Sequence, residues 1–485
     1  MGGETLKQQT ANGLFWGGIS NGVQQLAGAV FGIFLARILD PDDYGLVGML
    51  AIFSGIASIL INSGFSVALT NKPDASHDDY NAVFWFTFFA GLLLYVLLFF
   101  SAPWIARFYG RPELTALSRV LFAGFFFGGV STVFHTILFK NMQVKRQAGI
   151  DIVSFLVACS IGITMALNGF AYWSLAVQTL VYILLMFLLR FLLVPWKPTC
   201  RIRFSPLRPL LSFSFKLFLT QIFMQLNTHL FSVLLGRFYN AAQVGHYSQG
   251  QKWMLMGNSM INGTLVSVAQ PVLVRTSDDK PRQVAVMRKL IRFGAFLSFP
   301  LMLGLAFVGK EFILVAIGEK WLPAVPFLQL FCIWGALGFL WTLFVNLINV
   351  HGKSNLYLYV NLAVGLVQLL VVAVLYPKGV FPMVAGYLSV SIAGLLVWQY
   401  FVRQLIGLRL ADILKDLLPY LLTTIACFFV AGLVAQAVRN VYALLAVKIL
   451  VSAILYIVVM KVSRSVIFGE SVEFLFGRLR KKNGK

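Results

Sequence analysis

Acidic residues are scarce in this chain. Seventeen Asp and Glu stand against 39 Lys and Arg over 485 residues, a net charge of +22. In the long apolar stretches they are scarcer still. Only Asp151 falls near the boundary of one, whereas several lysines and arginines lie within or at the ends of others. Charge inside a bilayer is costly and by default marks a pathway. A pathway lined by cations and amides, without acids, favours an anionic cargo.

Cysteine and histidine are equally sparse. Cys159, Cys200, Cys332 and Cys427 are scattered, and three of them lie in apolar runs, which excludes a disulfide framework or a redox pair. His77, His135, His229, His246 and His351 are dispersed without metal-ligand spacing, so neither a zinc site nor a cofactor is expected. Long polar loops are missing too. No loop can fold into a catalytic domain, and the chain is not expected to be an enzyme.

What is present is apolar sequence. Hydrophobic residues make up 59% of the chain, and the mean hydropathy is +0.83, too high for a soluble protein of this length. Runs of about 20 apolar residues recur throughout, each able to cross a hydrocarbon core of ~30 Å as a helix. They do not alternate as barrel strands would. The pattern predicts an all-α polytopic membrane protein of roughly 14 spans: 11–36, 44–68, 81–102, 115–139, 149–168, 171–194, 210–237, 246–270, 291–309, 323–348, 355–376, 383–402, 417–438 and 443–461. The first run follows a short polar tail, lacks a small-residue cleavage site and reads as a retained helix.

An even count places both termini on one side. Lys140, Lys145, Arg146, Arg190, Lys197, Arg201, Arg203 and Arg208 share a set of loops with Arg275, Lys280, Arg282, Arg288, Lys289, Arg292 and the tail Arg478–Lys482. Arg107, Arg111, Lys310, Lys320, Lys378 and Arg439 form the poorer set. The positive-inside rule puts both termini in the cytoplasm and accounts for the basic balance without nucleic acid. The loop 196–209, with Pro198, Pro206 and Pro209, reads as a hinge between two halves.

Those halves echo each other. At an offset of 200, Leu35-Ala36-Arg37 with Gly45 parallels Leu235-Gly236-Arg237 with Gly245; Phe15, Ser20, Asn21 and Gln25 parallel Phe215, Thr220, Gln221 and Gln225. At an offset of 208, Asn141 to Lys145 parallels Asn349 to Lys353, and Gly110 parallels Gly318. Six spans separate the copies, so the repeat is parallel, related by an axis along the membrane normal. The expected organisation is an N-terminal lobe (1–200), a C-terminal lobe (201–405), and two further helices with a basic tail (406–485).

Arg37-Ile38-Leu39-Asp40-Pro41-Asp42-Asp43-Tyr44-Gly45 after the first span, Gly236-Arg237-Phe238 with Val244-Gly245-His246-Tyr247-Ser248 after the seventh, and Gly318-Glu319-Lys320-Trp321 before the tenth resemble elements of a family. It is that of the oligosaccharide-lipid flippases, Wzx-like and nearest the colanic-acid-exporter-like branch, of the multidrug/oligosaccharidyl-lipid/polysaccharide exporter superfamily. The resemblance covers about residues 8–460. It implies two six-helix lobes around a central cavity, alternating access, and an anionic cargo of oligosaccharide repeat units on a polyprenyl diphosphate. It further implies the bacterial cytoplasmic (inner) membrane, contact with membrane lipids, and a polysaccharide polymerase and glycosyltransferases as partners in surface polysaccharide export.

Candidate binding residues follow from the cost of polarity in lipid. Lys216 lies about seven residues into the seventh span, where a lysine costs roughly 2.5–3.5 kcal/mol at a helix centre; it either pairs with a phosphate or snorkels to the interface. Lys252 in the eighth span and Arg119 at the start of the fourth are read the same way. Asn21 and Gln25 share a face at i, i+4, and Gln221 and Gln225 repeat the spacing. They either bond sugar hydroxyls or join helices. Asn227 shares a face with Lys216, opposite Gln225. Pro300 is expected to bend its span. The rival readings are a multidrug exporter of the same superfamily, which would call for an intramembrane carboxylate, a peptidoglycan-precursor flippase, and a scaffold for glycan assembly.

Overall fold

A chain in lipid has no water to bond its backbone, and a helix satisfies its N–H and C=O groups internally. The computed structural model describes residues 6–62, 65–72, 74–200, 225 and 229–470. Among the described residues all regular structure is helical, and eleven helices are long and apolar enough to cross a membrane. The protein is therefore a multi-pass membrane protein. Most of the span expected at 210–237 lies outside the described residues. Contacts divide the chain into two compact units, Met1–Ser248 and Gln249–Lys485.

The first unit contains α1 (Leu6–Ile38), α2 (Pro41–Asn62), the short α3 (Phe65–Asn71), α4 (His77–Tyr109), α5 (Glu113–Lys140), α6 (Val144–Leu167), α7 (Trp173–Leu193), α8 (His229–Phe238) and the first turns of α9 (Ala241–Arg275). Helix α5 is its axis, packing against α2, α3, α4, α6 and α7, while α1 packs on α6. Phe84, Val133, Phe134 and Ile137 lie at the heart of the core. A capping box formed by Ser76 and Asp79 starts α4, and Gly110 ends it in the left-handed region at φ 68°. Lys72 Nζ donates to the buried Asp79 carboxylate at 2.7 Å.

The second unit holds the rest of α9, then α10 (Lys280–Ser298), α11 (Gly304–Phe307), α12 (Gly309–Ala316), α13 (Val325–Val350), α14 (Ser354–Leu375), α15 (Val380–Ile406), α16 (Leu410–Ala435) and α17 (Val441–Val462). Helix α13 packs against α10, α14 and α15, and the α16–α17 pair joins the unit through α10 and α12. At Pro300 the chain takes a π-helical turn, Phe299–Leu303, because proline cannot donate the hydrogen bond that an α-turn requires. Gly318, the repeat counterpart of Gly110, also has positive φ (98°), with a different ψ.

The helices extend beyond the apolar runs, and this changes the reading of the acids. Helix α16 starts at Leu410 and carries Asp416 at 5% exposure; α12 carries Glu311 at 8%. Asp151 is thus not alone in the apolar interior. Hydropathy locates the middle of a helix well and its ends poorly, since one charge lowers a window's average wherever its partner lies.

Candidate functional site

The repeat-related loop motifs meet in the first unit. A Cβ on Gly45 would lie 2.8 Å from the Cα of Ala241, and a Cβ on Gly245 would lie 2.8 Å from the carbonyl carbon of Pro41. Positions 41 and 241, and 45 and 245, are the pairs that the offset of 200 relates. The first turns of α2 and α9 therefore press backbone to backbone at glycine, each against the other's counterpart. Glycine is required because a side chain's first carbon has no room there. Gly48 continues the approach toward Val244 Cγ1 (2.9 Å for an added Cβ), and Gly236 of α8 faces Met49 and Tyr109.

Polar residues of the motifs brace this crossing. Arg111 Nη2 and Nη1 donate to the two Asp42 carboxylate oxygens at 2.5 and 3.3 Å, and Arg111 Nε reaches Glu113. The Asp42 carboxylate bonded to Arg111 pushes that guanidinium's pKa above its usual range, so the charge is held. Asn240 Oδ1 caps α9 by accepting from the Gln243 N–H at 2.9 Å, and in α2 the Asp43 carboxylate reaches back to the Asp40 N–H at 2.9 Å, the reciprocal half of a capping box. The Arg237 guanidinium lies 5.3 Å from the centre of the Phe108 ring.

The residues nominated from sequence are dispersed. Lys216, Gln221 and Asn227 lie outside the described residues. Asn21 and Gln25 both sit on an exposed side of α1, beside the exposed Leu26, while the adjacent Ser20 is buried and accepts from Gln24 Nε2 at 3.0 Å. Gln225 is half-buried, and its Cγ would be 2.6 Å from a Cβ on Gly55. Close packing on α2 is what its side chain shows. Arg119 is half-buried, its guanidinium 4.4 Å from the Phe99 ring centre and its Nε bonded to the Phe99 carbonyl at 3.4 Å. Lys252 is half-buried in the second unit, with Nζ 5.7 Å from the ring centre of Trp253.

Sequence reasoning missed three charge clusters, each with a buried member. In the first unit, Arg190 of α7 is 6% exposed; its Nη2 donates to Asp151 Oδ1 of α6 at 3.1 Å and its Nη1 to Ser131 Oγ of α5 at 3.2 Å. One turn along, His135 Nε2 and Gln147 Nε2 are 2.9 Å apart. In the second unit Arg288 Nε and Nη2 donate to both oxygens of Asp416 at 2.8 and 3.1 Å, joining α10 to α16. Lys448 Nζ donates to Glu311 Oε1 at 2.8 Å, joining α17 to α12, and lies 4.8 Å from the Phe307 ring centre. A partial signal existed. Ser131 and His135, and Gln147 and Asp151, are i, i+4 pairs of polar residues on helices that cross apolar stretches.

A family model described as "Polysaccharide biosynthesis protein" matches residues 34–326. The chain is similar to the teichuronic acid biosynthesis protein TuaB of Bacillus subtilis (strain 168), 25% identical over 426 residues, 86% of this chain and 88% of that one. It is also similar to the lipopolysaccharide biosynthesis protein WzxC of Escherichia coli (strain K12), 24% identical over 339 residues, 69% of this chain and 68% of that one. Among solved structures, the lipid II flippase MurJ in an inward closed conformation shares the fold, with a TM-score of 0.78 and 17% identity, over 93% of this chain and 99% of that chain.

Proposed function

We propose, from the premise that this chain belongs to the polysaccharide biosynthesis protein family, that it is a flippase. In this reading it moves oligosaccharide repeat units linked to a polyprenyl diphosphate from the cytoplasmic to the outer leaflet by alternating access, for surface polysaccharide export. The observation that carries the reading is the mutual approach of Gly45 and Gly245. A parallel-repeat transporter has to close one end at its pseudo-symmetry axis, and two repeat-equivalent helix starts in backbone contact provide such a closure. The names of the relatives, TuaB and WzxC, point the same way.

The chemistry fits a lipid-linked anion. The polyprenyl tail stays in hydrocarbon, where each buried methylene is worth ~0.8 kcal/mol, so only the headgroup has to cross through the protein. Fourteen spans in two six-helix lobes (1–200 and 201–405) plus a C-terminal pair (406–485), with both termini in the cytoplasm, place the Gly45–Gly245 crossing at the outer end. Lys216, Lys252 and Arg119 are the proposed contacts for the diphosphate; Asn21, Gln25, Gln221, Gln225 and Asn227 are those for the glycan. Headgroup translocation by purified protein in liposomes tests this directly. Lys216→Ala and Lys252→Ala are each expected to slow it by about tenfold, the equivalent of ~1.4 kcal/mol. Wild-type rates in both would remove these lysines from the site.

The multidrug reading calls for a spare carboxylate in the interior. Among the described residues Asp151, Asp416 and Glu311 each carry a basic partner. None is spare, which favours the anionic cargo for a different reason from a simple scarcity of acids. An inside-negative potential supplies about 2.3 kcal/mol per charge per 100 mV and drives an anion outward. Collapsing the potential in vesicles is therefore expected to slow translocation; an unchanged rate at zero potential would exclude electrogenic export.

A further inference from the structure

The stretch that leaves α7 does not run free. Pro195 and Pro198 prevent the helix from continuing, and the chain turns back onto the start of α4. Trp196 enters a cage of four rings, at centre-to-centre distances of 5.5 Å to His77, 6.2 Å to Tyr80, 6.0 Å to Phe84 and 5.6 Å to Phe134. Three polar contacts then hold the backbone. Trp85 Nε1 donates to the Thr199 carbonyl at 2.8 Å, the Thr199 N–H donates to Asn81 Oδ1 at 2.9 Å, and His77 Nε2 lies 3.2 Å from the Lys197 carbonyl. Lys197 Nζ adds a contact 4.1 Å from the Phe191 ring centre. Val194 is fully buried, and Asn81 is 1% exposed.

This arrangement costs more than a passive connection needs. A buried amide oxygen in the first turns of α4 accepts from a backbone N–H of the loop, and an indole N–H donates to a loop carbonyl. A connection that only had to span a distance would leave its backbone to water. We infer that residues 194–199 are a docked anchor, fixed to the first unit throughout the transport cycle, and that Trp196, Asn81 and Trp85 are positioning residues for transport. The sequence alone reads 196–209 as one hinge; the docked part cannot act as one. A fixed anchor sets where force enters the first unit, at the start of α4 and the axis helix α5, whose Phe134 forms one wall of the cage. The inference rests on the proposed alternating access.

Cys200 offers a native probe one residue beyond the anchor. It is exposed, and Cys159, Cys332 and Cys427 are buried, so a thiol-reactive spin label attaches there selectively. In proteoliposomes the wild-type label should give an immobilised spectrum, unchanged when a fluorescent monosaccharide on polyprenyl diphosphate is added. Trp196→Ala should mobilise the label and slow headgroup translocation by about tenfold with unchanged affinity for the probe lipid, the pattern of an impaired conformational step. Trp196→Phe keeps a ring in the cage and should restore both. Asn81→Ala removes the bond to Thr199 while leaving the ring cage intact and should give an intermediate result, and it serves if Trp196→Ala fails to fold. A label that becomes mobile in the wild type on adding the probe lipid would overturn the inference, as would wild-type transport in a variant whose label is mobile. If the wild type moves no probe lipid, the flippase reading fails, while the spectra still decide whether the anchor is docked.

Discussion

Gly245→Leu is expected to reduce headgroup translocation by tenfold or more while leaving a folded protein in the membrane. The first carbon of the new side chain would fall 2.8 Å from the carbonyl carbon of Pro41, and real side chains do not approach backbone that closely. The obstacle is helix backbone on both sides, so no rotamer relieves it. The starts of α2 and α9 would have to part. Overpacking of this kind costs typically 1–3 kcal/mol in a core that can give, and more where backbone must move. Each ~1.4 kcal/mol against the closed arrangement changes its population tenfold, so a cycle that passes through it slows in proportion. Gly45→Leu meets the carbonyl of Ala241 and should behave alike, because the two positions are repeat counterparts. Gly245→Ala already carries the clashing first carbon and should show much of the same loss, with leucine adding the bulk beyond it. If Gly245→Leu transported at the wild-type rate, the α2–α9 crossing would not be part of the cycle.

Arg190→Leu is the second large effect, on stability. Arg190 is 6% exposed, and its partner Asp151 lies in the neighbouring helix α6. Removing one member of a buried ion pair strands the other and costs about 3–5 kcal/mol. Replacing both by apolar residues removes the stranded charge, so Arg190→Leu with Asp151→Leu should recover most of the loss. Ser131→Ala removes a single neutral acceptor from Arg190; side-chain hydrogen bonds inside membranes average only ~0.6 kcal/mol, and the variant should be close to wild type. Melting midpoints of the purified protein in detergent distinguish these cases. A double variant no more stable than Arg190→Leu would falsify the ion-pair account and leave a packing role for the long side chain.

Several features were legible in the sequence because they are set locally. A 20-residue apolar run is a helix in lipid whatever its neighbours do, so all-α architecture and most spans could be read directly. The offset of 200 between the loop motifs could also be read, and the family followed from those motifs. The candidate site was less legible. Arg119 reads equally as a phosphate contact or as a side chain snorkelling to the interface, and its guanidinium lies over Phe99 of α4. Gln225 reads equally as a sugar contact or as glue between helices, and it packs against Gly55 of α2. Polarity in an apolar helix signals that a partner exists and does not say whether that partner is cargo or protein.

By itself the sequence determined that this chain spans a membrane many times as helices and that its loop motifs recur at an offset of 200. These depend on hydropathy, period and order along one strand of chain. Tertiary structure alone decided that Asp151, Asp416 and Glu311 are neutralised by partners 39, 128 and 137 residues away, that Gly45 and Gly245 are where they are so that two backbones can touch, and that the chain after α7 is fastened to residues more than 100 positions earlier. A charge's partner and a glycine's neighbour are set by which helices pack side by side, and no local pattern in the sequence carries that distance.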